Sequence, residues 1–172
     1  MNAPATRTTM PARPGRRRFL AASLALAPLA VGGAAALRPA RALAAIDPIY
    51  TSLFSDKALG GYDTVAYFTE GRAVEGSSAH RTEWRGATWR FTSAEHLETF
   101  RADPERWAPA YGGYCAYATA QGYTAKGDPE QWTVIDDRLY VNYDASVRKL
   151  WLADTERFIR QADANWPTLL GA

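Results

Sequence analysis

Apolar and polar positions alternate over residues 80–91, and that period of two predicts a β-hairpin. With Arg85-Gly86 as a two-residue turn, His80, Thr82, Trp84, Ala87, Trp89 and Phe91 share one face, and Arg81, Glu83, Thr88 and Arg90 share the other. The expected cross-strand pairs are Trp84 with Ala87, Thr82 with Trp89 and His80 with Phe91. The period then lengthens to that of a helix. Leu97 and Phe100 lie on one helical face, and Thr92 with Glu95 has the spacing of a capping box. Asp103-Pro104 ends this helix or starts a new turn. Upstream, residues 62–68 read as a strand after Gly60-Gly61. Downstream, residues 132–135 and 139–143 read as a second hairpin about Asp136-Asp137-Arg138. Residues 114–120 predict a short helix closed by Gly122, with Cys115 in its first turn. Val147, Leu150, Trp151, Phe158, Ile159, Ala162 and Trp166 keep a helical period that Asp144 or Ser146 can cap and Pro167 ends. This order implies an α+β fold. It is expected as a small single domain over residues 60–172, with short antiparallel hairpins packed on a few helices. Residues 45–59 read as a linker, and no internal repeat is read.

The first 44 residues follow a different rule. They hold seven arginines and no acid, and Arg16, Arg17, Arg18, Phe19 and Leu20 lead into an Ala/Leu/Gly-rich run. Arg16-Arg17-x-Phe19-Leu20 resembles a twin-arginine export signal, and Ala42-Leu43-Ala44 has the small residues that a signal peptidase reads. The expectation is cleavage near Ala44-Ala45, a periplasmic mature protein, and membrane contact only during export. The whole chain carries 20 Lys+Arg against 18 Asp+Glu; without the seven leader arginines the balance is 13 against 18, or −5. A surface of that sign does not track a phosphate backbone, so no nucleic-acid partner is expected.

Candidate chemistry is sparse. Cys115 is the only cysteine, and the chain has two histidines, His80 and His96. An unpaired cysteine in an exported protein is either inert packing or a reactive thiol. In a first helical turn it should gain from the partial positive charge of the helix start, so its pKa is expected to fall. His96 reads equally as a solvated helix residue or a metal ligand, and His80 as packing at a sheet edge. A pocket around Cys115 and His96 is expected to draw on Tyr62, Asp63, Tyr111, Gly112, Gly113 and Tyr114. Tyr67, Tyr117 and Tyr123 fall with these tyrosines as core or rim positions able to border a flat ligand. Both methionines, Met1 and Met10, lie in the leader, so no thioether remains for copper. One thiolate, two imidazoles and the Asp63 carboxylate fall short of the four N/S ligands of structural zinc. A copper or zinc site completed by a partner remains open, as does a periplasmic protein partner. No Cys-x-x-Cys pair, phosphate loop or ordered nucleophile–His–acid set is present.

Residues 61–68, 83–89, 103–105 and 111–116 (the last Tyr-Gly-Gly-Tyr-Cys-Ala) carry a resemblance. Together they resemble the YHS-domain family, in particular its exported branch, some of whose members contain selenocysteine. The resemblance spans residues 60–166 and implies a module similar to small treble-clef-like metal domains. The family's cysteine ligands, carried over, fall on Ala66, Thr92 and His96, none of them a cysteine here. The family's metal role therefore does not transfer through those positions. The resemblance further implies that Cys115 stands where relatives carry selenium, which suggests redox or soft-metal chemistry. Three functions remain open at this point: a metal or small-cofactor pocket around Cys115, a redox or sensor thiol, and a partner-binding domain with an inert cysteine.

Overall fold

The computed structural model describes residues 45–172. The export signature at Arg16, Arg17, Phe19 and Leu20, and the cleavage-site residues up to Ala44, lie outside the described residues.

Two tight hairpins organise the described residues. Strand β1 (Ser77–Trp84) pairs antiparallel with β2 (Ala87–Phe91), and β3 (Asp128–Ile135) pairs antiparallel with β4 (Arg138–Asn142). Both turn residues are left-handed in each case, at φ +49° and +78° for Arg85-Gly86 and +48° and +60° for Asp136-Asp137. That mirror-image turn matches the right-handed twist of the flanking strands. The observed pairs Trp84–Ala87 and Thr82–Trp89 agree with the alternation in the sequence. His80 does not face Phe91: the ladder slips between Ser77 and Arg81, and Phe91 pairs with Ser77 instead. A bulge here absorbs the extra residues, as bulges near strand ends commonly do.

Among the described residues, six α-helices complete the α+β domain: α1 (Ala66–Thr69), α2 (Ala94–Ala102), α3 (Pro104–Trp107), α4 (Ala116–Ala120), α5 (Ala145–Leu152) and α6 (Thr155–Leu169). Each cap has a local cause. Ser93 accepts from the His96 N–H, so the N-cap of α2 is Ser93 and not Thr92. Asp103 accepts from the Arg106 N–H to start α3, Asp144 from Val147 to start α5, and Asp154 from Arg157 to start α6. The expected last helix is thus two, broken where Asp154 interrupts the apolar stripe. Pro167 lies inside α6 and does not end it.

The chain is built twice over. Gly60-Gly61-Tyr62 recurs as Gly112-Gly113-Tyr114, 52 residues on, and Gly76 as Gly127, 51 residues on. Several structural features follow the same offset of 51 or 52 residues. Leu59-Gly60 and Tyr111-Gly112 are both left-handed inside 3-10 turns, Ala58–Gly61 and Ala110–Gly113. Tyr62 bridges Glu75 as Tyr114 bridges Lys126, and Asp63 N–H donates to Val74 O as Cys115 N–H donates to Ala125 O, both at 2.9 Å. The slip between Ser77 and Arg81 reappears between Asp128 and Trp132. A 3-10 turn, a short helix, a bulged hairpin and a capped helix therefore make one unit, used in tandem. The absence of an internal repeat expected from the sequence is wrong, because apart from the glycines most matched positions differ in residue type.

Two more expectations fail for local reasons. Residues 62–68 are not a strand: Asp63 Oδ1 accepts from the N–H groups of Val65 and Ala66 and turns the chain into α1. That side-chain cap overrides the β-propensity of Val and Tyr. Residues 45–59 are not a linker: Ile49, Ala58 and Leu59 are buried, and Lys57 bridges Thr88 along the second edge of β2. Thr88, placed on the solvent face by its alternation, is consequently buried and donates its hydroxyl hydrogen to the Asp56 and Glu83 carboxylates. Each half has its own apolar core. Trp89, Phe91 and Phe100 centre the first, and Tyr140, Trp151 and Phe158 the second. Leu59, Tyr67, Leu139 and Val141 form a third cluster drawn from both halves.

Candidate functional site

In the first half, Asp63 is fully buried and takes five donors. Oδ1 accepts from Val65 N (2.9 Å) and Ala66 N (3.3 Å). Oδ2 accepts from Thr92 N and Thr92 Oγ1, both 2.8 Å, and from His96 Nδ1 at 2.7 Å. The carboxylate thus ties the start of α1 to the junction of β2 and α2. His96 reaches it because the Ser93 cap places the imidazole on the first turn of α2. Its Nε2 lies 3.5 Å from Thr69 Oγ1, and the side chain is 16% exposed. This is a filled, fully bonded cluster.

In the second half the same address holds Cys115, which is 1% exposed. It stands at the N-cap of α4, one residue before the first turn in which it was expected. The backbone N–H groups of Ala118, Tyr143 and Tyr117 are near enough to favour its thiolate. Those are the counterparts of Ala66, Thr92 and Val65, whose N–H groups bind the Asp63 carboxylate. The thiol S–H donates to Asn142 Oδ1 at 3.8 Å, and the Tyr117 N–H donates to the same oxygen at 3.3 Å. Burial pushes the Cys115 pKa up, against the three amides that favour thiolate. The downward shift expected from a helix start is therefore corrected: desolvation outweighs it.

Beside the thiol opens a pocket of about 260 Å³, bordered by Tyr117, Ala118, Tyr123, Ala125, Tyr143 and Val147. Tyr117 and Tyr123 were expected at such a rim. His96, Tyr62, Asp63, Tyr111, Gly112, Gly113 and Tyr114 are not part of this wall, so the composite site expected from the sequence separates into three places. His96 and Asp63 pair in the first half. Tyr111 and Gly112 border a different pocket of about 250 Å³, with Trp84, Glu105 and Trp166. Tyr111 Oη donates to Asp163 Oδ1 at 2.9 Å, and Tyr114 Oη to Asp47 O at 3.1 Å; burial raises the pKa of both phenols. Tyr62 Oη donates to Glu130 Oε1 at 3.2 Å. Gly113 serves the turn, with φ +86°. His80 is half-buried in β1, at the sheet edge.

Among the described residues, no three His, Cys, Asp or Glu side chains come together as a metal site. Copper or zinc at Cys115 would find one sulfur and no second protein ligand in the pocket wall, which does not fit a resident metal of either kind. Tyr143, Val147 and Asn142 were missed from the sequence. The signal that finds them is the repeat, which sets Val147 opposite His96, Tyr143 opposite Thr92 and Asn142 opposite Phe91. Compared with family models, curated proteins and solved structures, the chain matches none.

Proposed function

We propose that this is an exported, YHS-like domain that holds a small organic ligand in the pocket over the Cys115 thiol. One observation carries the reading. The buried sulfur lies beside an open pocket at the position that Asp63 holds in the first half, and the His96 side chain that partners Asp63 there is replaced by Val147. Aromatic walls with a few polar groups at the floor are the usual make-up of a small-ligand site. The resemblance to a family in which some exported members are expected to carry selenium at this position supports the same residue. A redox reading uses the same thiol, but the chain has no second cysteine to resolve it.

Two measurements test this reading. Iodoacetamide should modify Cys115 in the folded protein, more slowly than a free thiol at neutral pH and faster as pH rises. Modification only in denaturant would make Cys115 plain packing and sink the proposal. The raised pKa also fixes a sign. The unfolded thiol ionises first, near ~8.5, so the stability that Cys115 contributes is whole below that pH and falls as pH rises toward the higher native value. Denaturant melts at about pH 7.5 and about pH 9.5 should show a larger alkaline loss in wild type than in Cys115→Ala, the tyrosine titrations being common to both. Equal losses would mean that the thiol is solvated.

Export is tested separately. Arg16→Lys with Arg17→Lys should hold the precursor in the cytoplasm, and normal periplasmic yield would refute a twin-arginine route.

A further inference from the structure

We infer that the Cys115 pocket binds a small, flat, nitrogen-bearing heterocycle of the imidazole class, which partners the thiol as His96 partners Asp63. The inference rests on the small-ligand reading above and adds the ligand's chemistry.

The two halves supply the argument. Position by position, the pocket is the Asp63–His96 cluster with its side chains exchanged. Cys115 replaces Asp63, Tyr143 replaces Thr92, and Val147 replaces His96. The backbone course is kept, with Tyr117, Ala118 and Tyr143 standing where Val65, Ala66 and Thr92 bind the carboxylate. In the first half an imidazole projecting from the first turn of α2 reaches the acid at 2.7 Å. In the second half the matching turn of α5 carries Val147, which ends at its γ-methyls and has no nitrogen to offer. The room that an imidazole takes in one half is pocket in the other. Tyr117 and Tyr143 stand at the positions of Val65 and Thr92 and border the pocket with aromatic faces suited to a flat ring or a delocalised cation. Asn142, fully buried, holds the thiol from the side of β4 and is not part of the pocket wall.

The step is a proton transfer and nothing more. The Cys115 S–H proton passes to a ring nitrogen of the bound base, giving thiolate and protonated heterocycle side by side. The nearby amides of Ala118, Tyr143 and Tyr117 favour the sulfur that gains the charge, and its burial strengthens the pair. No oxidant, reductant or metal enters.

Imidazole is the smallest probe, and thiophene is its flat five-membered control without nitrogen. Titrated into the 45–172 protein at constant pH, imidazole should protect Cys115 from iodoacetamide saturably, by about tenfold at ten dissociation constants as mass action requires. It should not slow alkylation of free cysteine. Thiophene should protect far less. Val147→His should place the ring from within: it should abolish the imidazole effect and raise the thiolate ultraviolet absorbance at neutral pH. Equal protection by thiophene and imidazole would overturn the ligand class and leave the small-ligand reading standing. So would no protection by either when Cys115 still alkylates in the native state. Should Val147→His not fold, the wild-type titration decides alone. Alkylation only after denaturation removes the small-ligand reading and this inference together.

Discussion

Asp63→Ala should be among the most damaging single changes in the domain, costing on the order of 4 kcal/mol or more where whole domains hold about 5–15. The reason is the number of groups left without a partner. Val65 and Ala66 are fully buried, and their N–H groups have Asp63 Oδ1 as acceptor. Thr92 loses a partner for both its N–H and its hydroxyl, and His96 loses its Nδ1 partner. Each buried orphan costs ~1–3 kcal/mol, and no water reaches the first two without opening α1. Cys115→Ala, at the matching place in the second half, removes one weak S–H bond and a small volume, so it should cost only about 1–2 kcal/mol. Urea melts of the two variants give the comparison directly. Similar losses would mean that the Asp63 network is not what fastens α1 to the β2–α2 junction.

That contrast also explains what the sequence disclosed and what it concealed. The hairpins were legible because alternation and a two-residue turn are local, and Trp84, Trp89 and Ala87 fall where their neighbours demand. The sheet-edge slip at residues 77–81 was not, since it depends on where Gly76 can approach β2: a Cβ on Gly76 would lie 2.4 Å from the Arg90 backbone. Asp63 was read as a ligand because its acid group is visible, whereas its five donors come from residues 2 to 33 positions away. The strand expected at residues 62–68 failed for the same reason, a single side-chain cap outweighing the propensity of the whole run. Cys115 was found by its rarity, but Asn142, Tyr143 and Val147 lie 27 to 32 positions on. The sign of its pKa shift depended on burial, which no local pattern reveals. The repeat was present throughout in Ala-x-Gly-Gly-Tyr at residues 58–62 and 110–114. It held the answer to where Val147 and Tyr143 belong, because a conserved backbone frame with exchanged side chains is legible only when the two copies are laid side by side.

Those same glycines give the last expected result. Gly112→Ala should unfold the domain or come close to it, while Gly60→Ala at the matching position should be tolerated. Both glycines are left-handed, at φ +59° and +67°, so alanine pays about 1–2 kcal/mol of backbone strain at either. The surroundings differ. A Cβ on Gly60 meets only a Tyr62 ring atom at 3.9 Å. A Cβ on Gly112 would lie 1.9 Å from the Pro48 carbonyl oxygen and 3.1 Å from Ile49 Cα. Those are main-chain atoms with no rotamer to yield, so the strand of chain over Gly112 must lift. Lifting it breaks the Tyr50 N–H bond to Gly112 O at 2.9 Å and draws Ile49 out of the first core. The bond is worth about 0.5–1.5 kcal/mol and the isoleucine about 1.5–3. With the strain, the total approaches ~3–6 kcal/mol, against ~1–2 for Gly60→Ala. Thermal melts of the two variants, with limited proteolysis of residues 45–50, separate the cases. Gly112→Ala should expose that segment to cleavage at temperatures where Gly60→Ala remains intact. Equal melting points would show that residues 45–50 rest on the domain without holding it together.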